Sequence, residues 1–322
     1  LVKYLYLIYE NANREMLGKV LIATKALKNG WTVVIGQKNY LRQKLKYYPK
    51  GIVIEKGMRK GMNKFTKEWK KKGHMVCMSD EEAITYVDDT NYLLRNLDKN
   101  IKNSVDYFFS IGPRHYKTLN KFLPKKKIAK IGNVKYDLYK KENRNIFYLN
   151  SRNIKNNNEK FILITSRFGN VNQHLGRQIK KIKNNEYQIS SKKIFNEFLE
   201  LPEKIISSQS NFKKIIIRPH PSENFDTWKN KFKNNRNIKV IYKDNVADWI
   251  LASSLLIQNR CTTGLEGYLL DKPVVSFGSE NNKDEIGKIF NSISTKIRDL
   301  KDLKKILKKN KKKKSKKLNK IL

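Results

Sequence analysis

Short β-rich apolar runs alternate with helical stretches along nearly the whole chain, and this alternation restricts the fold more than any other feature of the 322-residue sequence. Residues 3–9, 32–35, 52–54, 74–78, 107–111 and 128–131 read as strands. Between the first two lies a helical stretch, 13–28, with apolar residues at Leu17, Val20, Leu21 and Ala23 and a terminating Gly30. A basic helix is expected over 62–72. Strands joined through helices form βαβ units and hence a parallel sheet. From 140 to 159 the pattern lapses into polar, Asn-rich sequence that reads as a connection between domains. It then resumes, with strands expected at 161–165, 214–217, 239–242, 255–258 and 274–277 and helices at 192–207, 226–232, 246–252 and 264–270. The expectation is an α/β chain of two Rossmann-like domains, 1–145 and 146–298, followed by a basic tail, 299–322. Open parallel sheets bind ligands beyond the carboxyl ends of their strands, so the two sheets are expected to face each other across a cleft.

Composition narrows the class. Hydrophobic residues make up 39% of the chain, enough for real cores. No run reaches the roughly 18 apolar residues of a membrane span. The first apolar stretch, 4–9, runs straight into Glu10, so no signal peptide is expected. Cys77 and Cys261 lie far apart and make no framework, which favours a reducing cytoplasm and no structural disulfide.

The net charge of +41 suggests an anionic partner. Lys, Asn and Ile are abundant throughout, however, as in 153–160, which reads as the compositional skew of an AT-rich genome and a solvated lysine surface. The exception is 300–322, with twelve Lys against one Asp. Leu300, Leu303, Ile306 and Leu307 fall at helical spacing there, making the start of the tail amphipathic. Such an end suits an anionic membrane surface, and a frayed, solvated tail is the alternative.

The sharpest segment is Ile215-Ile216-Ile217-Arg218-Pro219-His220-Pro221-Ser222-Glu223. An apolar strand ends in a cation and then in a His held between two prolines, which stiffen the backbone on both sides. His220 is suited to donate to a phosphate, and Arg218 to add fixed charge. The next is Gln258-Asn259-Arg260-Cys261-Thr262-Thr263-Gly264-Leu265-Glu266, a strand running into a hydroxyl-rich turn and a helix. Thr262 or Thr263 reads as an N-cap, with Glu266 completing a capping box, and such a helix end also binds anions. The third cluster, Asp80-Glu81-Glu82, follows the strand at 74–78. It reads either as a dipole complement at a helix start or as a general base. Glu10, Asn11, Arg14 and Glu15 follow the first strand and read as a helix cap or as an acceptor contact. Neither GxxxxGK[ST] nor GxGxxG occurs, which excludes a P-loop and counts against a dinucleotide site. His74, His115, His174 and His220 lack metal-ligand spacing, so no metal site is expected.

Together these clusters resemble the surface carbohydrate biosynthesis proteins and, more distantly, the inverting GT-B glycosyltransferases that use CMP-activated sugars, sialyltransferases and transferases of 3-deoxy-octulosonic acid (Kdo) among them. That group shares an acidic D/E-D/E-G motif, a His-Pro motif and a Ser/Thr-rich turn, to which Asp80-Glu81-Glu82-Ala83, His220-Pro221 and Thr262-Thr263 correspond. Gly132-Asn133-Val134-Lys135-Tyr136-Asp137, Phe168-Gly169-Asn170 and the string from Arg218 to Glu223 also fit, over about 3–289. Ala83 stands where the motif has Gly, and Val134-Lys135 where Pro-Arg is usual.

The resemblance implies a metal-independent, cofactor-free transferase of bacterial surface polysaccharide synthesis that moves Kdo or a nonulosonate from a CMP donor to a glycan or lipid-linked acceptor. His220, Pro221, Ser222, Thr262 and Thr263 would hold the donor phosphate, Arg218 and Glu266 would orient phosphate and ribose, and Glu81, Glu82 or Asp80 would take the acceptor proton. The protein would be cytoplasmic and peripheral on the inner membrane through its tail, with no specific nucleic acid. The alternatives are a UDP-sugar-using GT-B enzyme, a sugar-nucleotide epimerase or a polyol-phosphate transferase, and, outside catalysis, a basic membrane- or nucleic-acid-binding protein.

Overall fold

The computed structural model describes residues 2–84, 86, 88–173, 186–208, 212–278, 290, 292–297 and 300–309. The chain divides into two compact units, and the second begins at Tyr139, where the sequence pattern placed the boundary at 145.

The first unit begins with β1 (Lys3–Tyr9), α1 (Ala12–Leu27), β2 (Trp31–Gln37), α2 (Lys38–Lys44), β3 (Ile52–Glu55) and α3 (Met62–Lys71). It continues with β4 (Met75–Ser79), α4 (Asp89–Asn96), β5 (Tyr107–Ser110), α5 (Pro113–Asn120), β6 (Ile128–Lys130) and α6 (Val134–Asp137). Its strands form one sheet in the order β2-β1-β3-β4-β5-β6, each pair parallel. Leu5, Tyr6, Leu7 and Ile8 of β1 are all buried, because helices cover both faces of a parallel sheet and its central strands must be apolar throughout. His74 belongs to this scaffold. It is buried, with Nδ1 accepting from the Gly51 N–H and Nε2 beside the Leu45 carbonyl.

The second unit runs α7 (Tyr148–Asn156), β7 (Phe161–Thr165), α8 (Glu186–Ser207), β8 (Lys214–Arg218), α9 (Phe225–Phe232), β9 (Ile238–Val240) and α10 (Val246–Ala252). Then come β10 (Leu255–Gln258), α11 (Thr263–Leu269), β11 (Val274–Phe277), β12 (Thr295–Ile297) and α12 (Leu300–Lys309). The sheet order is β12-β11-β10-β7-β8-β9, all parallel. Counted from β7, this is the doubly wound Rossmann order, and the winding reverses between β7 and β10. In the first sheet the reversal falls between β1 and β3. Each reversal separates two loops at the carboxyl ends of adjacent strands, and ligands of open α/β sheets bind in that crevice.

Three differences from the sequence pattern concern the second unit. The Asn-rich stretch at 140–159 is not a bare connection, since it contains α7, which packs on α10. Phe147, Ser151 and Ile154 are buried at positions i, i+4 and i+7, a helical stripe that the surrounding asparagines conceal. Asn150 Nδ2 donates to Asp248 Oδ2 at 2.8 Å and ties α7 to α10. The edge strand β12 is absent from the pattern because in three residues only Ile297 is buried, too short a span for any period to register.

The tail is the third difference. Its amphipathic start forms α12, but Leu303 is buried and Ile306 packs beside it on the core of the second unit. Leu303 and Ile306 of the apolar stripe thus cover the protein's own core, and 310–322 lies outside the described residues. Among the described residues no helix is long and apolar enough to cross a membrane. Leu303→Ala is expected to cost about 2–5 kcal/mol in denaturant unfolding, the range for emptying a buried leucine site. An unchanged midpoint would return α12 to the status of an appendage.

Candidate functional site

In the second unit the loops following β7 and β8 and the start of α9 are stitched together by one buried acid, Glu223. It accepts hydrogen bonds from Ser166 Oγ (2.7 Å), the Phe168 N–H (3.1 Å), the His220 N–H (3.2 Å), Trp228 Nε1 (3.0 Å) and Asn172 Nδ2 (3.5 Å). Burial raises its pKa while these donors oppose the shift by stabilising the charged form. Glu223 thereby clamps the end of β7, the Pro-His-Pro turn and the first turns of α9 into one body. The sequence string contained Glu223 without giving it a role. Its signal is a lone acid three residues after a strand-end His in a chain otherwise rich in base.

His220 is fixed further by its own turn. The Ser222 N–H donates to Nδ1 at 3.2 Å, and Ser222 Oγ lies 2.7 Å from the same nitrogen. An imidazole that accepts at Nδ1 carries its neutral-state proton on Nε2. Gly169 makes this packing possible, since a Cβ there would stand 2.2 Å from Ser222 Oγ. Pro221 is exposed on the turn.

Across the reversal, the turn after β10 is held by buried amides. Gln258 Oε1 accepts from the Cys261 N–H (2.8 Å), and Asn259 Nδ2 donates to the Phe277 carbonyl (2.7 Å). Arg260, also buried, sits at φ 49°, a left-handed conformation costing about 1–2 kcal/mol outside glycine. Arg167 Nη1 donates to the Arg260 carbonyl at 3.1 Å, and Thr165 Oγ1 lies 2.7 Å from Thr263 Oγ1. The β7 loop is thus bonded to both the His220 turn and the Thr262-Thr263 turn. Both cysteines are buried free thiols, and burial pushes Cys77 up to about 12.

Three expectations change here. The capping box does not form. Thr262 stands at the N-cap of α11 without a side-chain cap bond, Thr263 is already helical, and Glu266 Oε2 accepts from Tyr139 Oη at 3.0 Å. Long-range partners have taken the side chains that local spacing paired. Glu266, expected to orient ribose, is buried. Arg218 sends Nη1 to the Lys243 carbonyl and Nη2 to the Asp244 carbonyl (2.7 Å), with its guanidinium 5.4 Å from the Tyr242 ring centroid. It braces the loop after β9, where Asp244 is held at φ 61°.

In the first unit the three acids after β4 have different environments. Glu81 pairs with the buried Lys19 of α1 at 2.5 Å, and its carbonyl accepts from Asn133 Nδ2 at 2.9 Å. Glu82 is exposed and pairs with Arg14 at 2.9 Å, an arrangement of small energetic weight. Asp80 accepts from Tyr92 Oη (2.8 Å) and from the Glu82 N–H (3.0 Å), and burial pushes its pKa up. Behind Tyr92, at 2.9 Å, lies Nε2 of the buried His115, which burial pushes down to about 4. Of the earlier loop, Glu15 accepts from the Glu10 and Asn11 N–H groups as a helix cap. Glu10, bonded by Lys38 and Lys56, is lowered to about 2. Among the described residues no group of three or more His, Cys, Asp or Glu is placed to hold a metal. His174 lies outside the described residues.

No family model matches this chain, and no curated protein does. Among solved structures it is similar to the UDP-GlcNAc 2-epimerase of Methanocaldococcus jannaschii, with 14% identity, a TM-score of 0.59, and 97% of this chain and 94% of that one covered. That epimerase is also known in complex with UDP-GlcNAc and UDP. S. aureus MnaA in a co-structure with UDP aligns at 12% identity and TM-score 0.53, over 85% of this chain and 79% of that one. A variant of the wall teichoic acid polymerase TagF aligns at 12% identity and TM-score 0.53, over 88% and 72%. At such identities the likeness is one of fold. The chain is a GT-B-like α/β protein of two Rossmann-like domains, as the motif resemblance implied.

Removing the Glu223 carboxylate leaves its donors unpaired in the interior, so Glu223→Ala should cost about 2–4 kcal/mol in urea unfolding. An effect below about 0.5 kcal/mol, the surface-mutation range, would refute the clamp. His115 makes stability pH-dependent. Between its ordinary 6.5 and about 4, the unfolded chain binds a proton that the folded chain refuses. Stability should therefore fall on acidification through that window, by about 3 kcal/mol in all. His115→Gln should flatten that segment when the two unfolding curves are compared.

Proposed function

We propose that this chain is a nucleotide-sugar enzyme that acts at the bond between an anomeric carbon and a nucleotide phosphate. The observation that carries the reading is the locked crevice of the second unit, where a Glu223-clamped His220 turn and the Thr262-Thr263 turn are both bonded to the loop after β7. Preorganised donors at such a crevice stabilise charge that develops on a departing group without reorganising. In this reading the nucleotide phosphate lies there. His220, through the N–H on Nε2, and the backbone around Thr262 and Thr263 bear the electron pair that leaves with the phosphate oxygen. Ser222 and Pro221 act by holding the His220 turn, Arg218 by bracing the neighbouring loop.

The first unit supplies the base. Among its three acids Asp80 is preferred, because Glu81 is neutralised by Lys19 and Glu82 is exposed beside Arg14. A carboxylate whose proton affinity is raised by burial is the better proton acceptor near neutral pH. Asp80 takes the proton of the attacking acceptor hydroxyl, the new glycosidic bond forms at the anomeric carbon, and the bond to the nucleotide breaks.

UDP is the preferred nucleotide, supported by the UDP complexes among the similar structures. The motif resemblance supports a second reading, transfer of an acidic sugar such as Kdo from CMP to a glycan or lipid-linked acceptor. Lysines of the tail would serve as a membrane contact in either case.

Thermal unfolding with UDP, UMP, CDP and CMP, on the wild type and His220→Ala, separates these readings. A ligand at 100-fold over its Kd adds about 2.7 kcal/mol of stability. A UDP shift lost in His220→Ala is the expected outcome, and a shift with CMP alone would transfer the reading to a CMP-sugar enzyme. No shift with any nucleotide would end it. With the donor known, Asp80→Asn should lower turnover by about 10²–10⁴-fold. A sugar product made without acceptor would mark an epimerase.

A further inference from the structure

Asp80, Tyr92 and His115 stand in a hydrogen-bonded row whose direction is set by the backbone. The Ile111 N–H donates to His115 Nδ1 at 3.3 Å. A neutral imidazole accepting at Nδ1 carries its proton on Nε2, so that N–H donates to Tyr92 Oη at 2.9 Å. With its oxygen engaged, the Tyr92 hydroxyl donates to Asp80 Oδ2 at 2.8 Å. Every link runs from a main-chain amide toward the carboxylate. The ring of Tyr92 is held between Tyr86, at 4.5 Å, and the edge of His115, at 5.3 Å. Tyr86 Oη lies 2.8 Å from Thr118 Oγ1, and the Arg114 guanidinium sits 4.3 Å from its ring centroid. The row has no slack to reverse, and burial keeps His115 neutral down to about pH 4.

The other groups facing Asp80 are few. Glu82, on its own turn, raises its proton affinity, and Arg59, from the segment after β3, lowers it. Burial outweighs both. An acid in this setting would hold its proton too tightly to be a steady acceptor unless a fixed donor stabilised its charged form.

We propose that Tyr92 and His115 are positioning residues for Asp80, a one-way donor row that orients Oδ2 and favours the ionised carboxylate. The inference deepens the reading of Asp80 as general base and rests on it. A purely structural network would have no need of polarity, and Phe with Leu would fill the same space.

The test reads Asp80 directly, by carboxyl carbon NMR of the full chain labelled at aspartate, with Asp80→Asn to assign the signal. Tyr92→Phe should move the Asp80 midpoint upward by about 1–2 pH units, the worth of a hydrogen bond to a charged group. His115→Leu should move it the same way by less. His115→Gln, which puts an amide N–H where Nε2–H stood, should restore it. If Tyr92→Phe does not fold, His115→Leu carries the test, because it leaves Asp80 and Tyr92 in place. A folded variant lacking the donor with an unshifted midpoint overturns the inference. The acidic limb of kcat/KM for the nucleotide-sugar reaction should follow the midpoint. If the midpoint moves and the limb does not, the row stands and the assignment of Asp80 as base fails.

Discussion

The carboxylate of Glu223 has been taken out of water, and only the donors arranged around it make that tolerable. Those donors come from the end of β7, from the turn after β8 and from α9, so meeting the needs of one acid determines the relative placement of three segments. The stiffness of His220 is a consequence. Two prolines limit its backbone, but what anchors the turn is the bond from its own N–H to Glu223 and the contact of Ser222 with the loop at Gly169. A buried charge of this kind adds little net stability and much specificity of arrangement, which is what a ligand crevice requires.

The first unit solves a related problem with acids of unlike environment. Three adjacent carboxylates share a turn, yet one is paired with a buried lysine, one is left at the surface beside an arginine, and one is half-buried and bonded by a tyrosine. Placing neighbouring carboxylates in unlike environments in this way assigns them different chemistry. The +41 net charge contributes little to this, since the lysines named at the site are Lys19, Lys38 and Lys56, each matched to an acid.

Much of the site was legible as loops and little of it as bonds. The carboxyl ends of the strands were readable, and the three clusters after β4, β8 and β10 do lie there. Glu223 carries no signature of its role in the sequence, because an acid at a turn is ordinarily solvated, and nothing within the string shows that Trp228 and Ser166 converge on it. The role given to Arg218 rested on its strand-end position, yet the loop after β9 comes close enough to take its guanidinium. The spacing of His115 speaks only to metal binding, and its bond to Tyr92, 23 residues away in the chain, has no local signature.

By itself the sequence determined every strand but β12, their boundaries to within a few residues, and the parallel α/β class. Apolar runs such as 161–165 and 255–258 must leave water, and a period of two or 3.6 declares how they do so. Tertiary structure alone decided which polar groups meet. Thr263 bonds Thr165 across 98 residues and Glu266 bonds Tyr139 across 127, displacing the capping box that local spacing proposed. The physical reason is that burial of apolar runs is a property of each run, whereas a hydrogen bond requires two partners within about 3 Å, and only the folded sheet order brings distant loops that close.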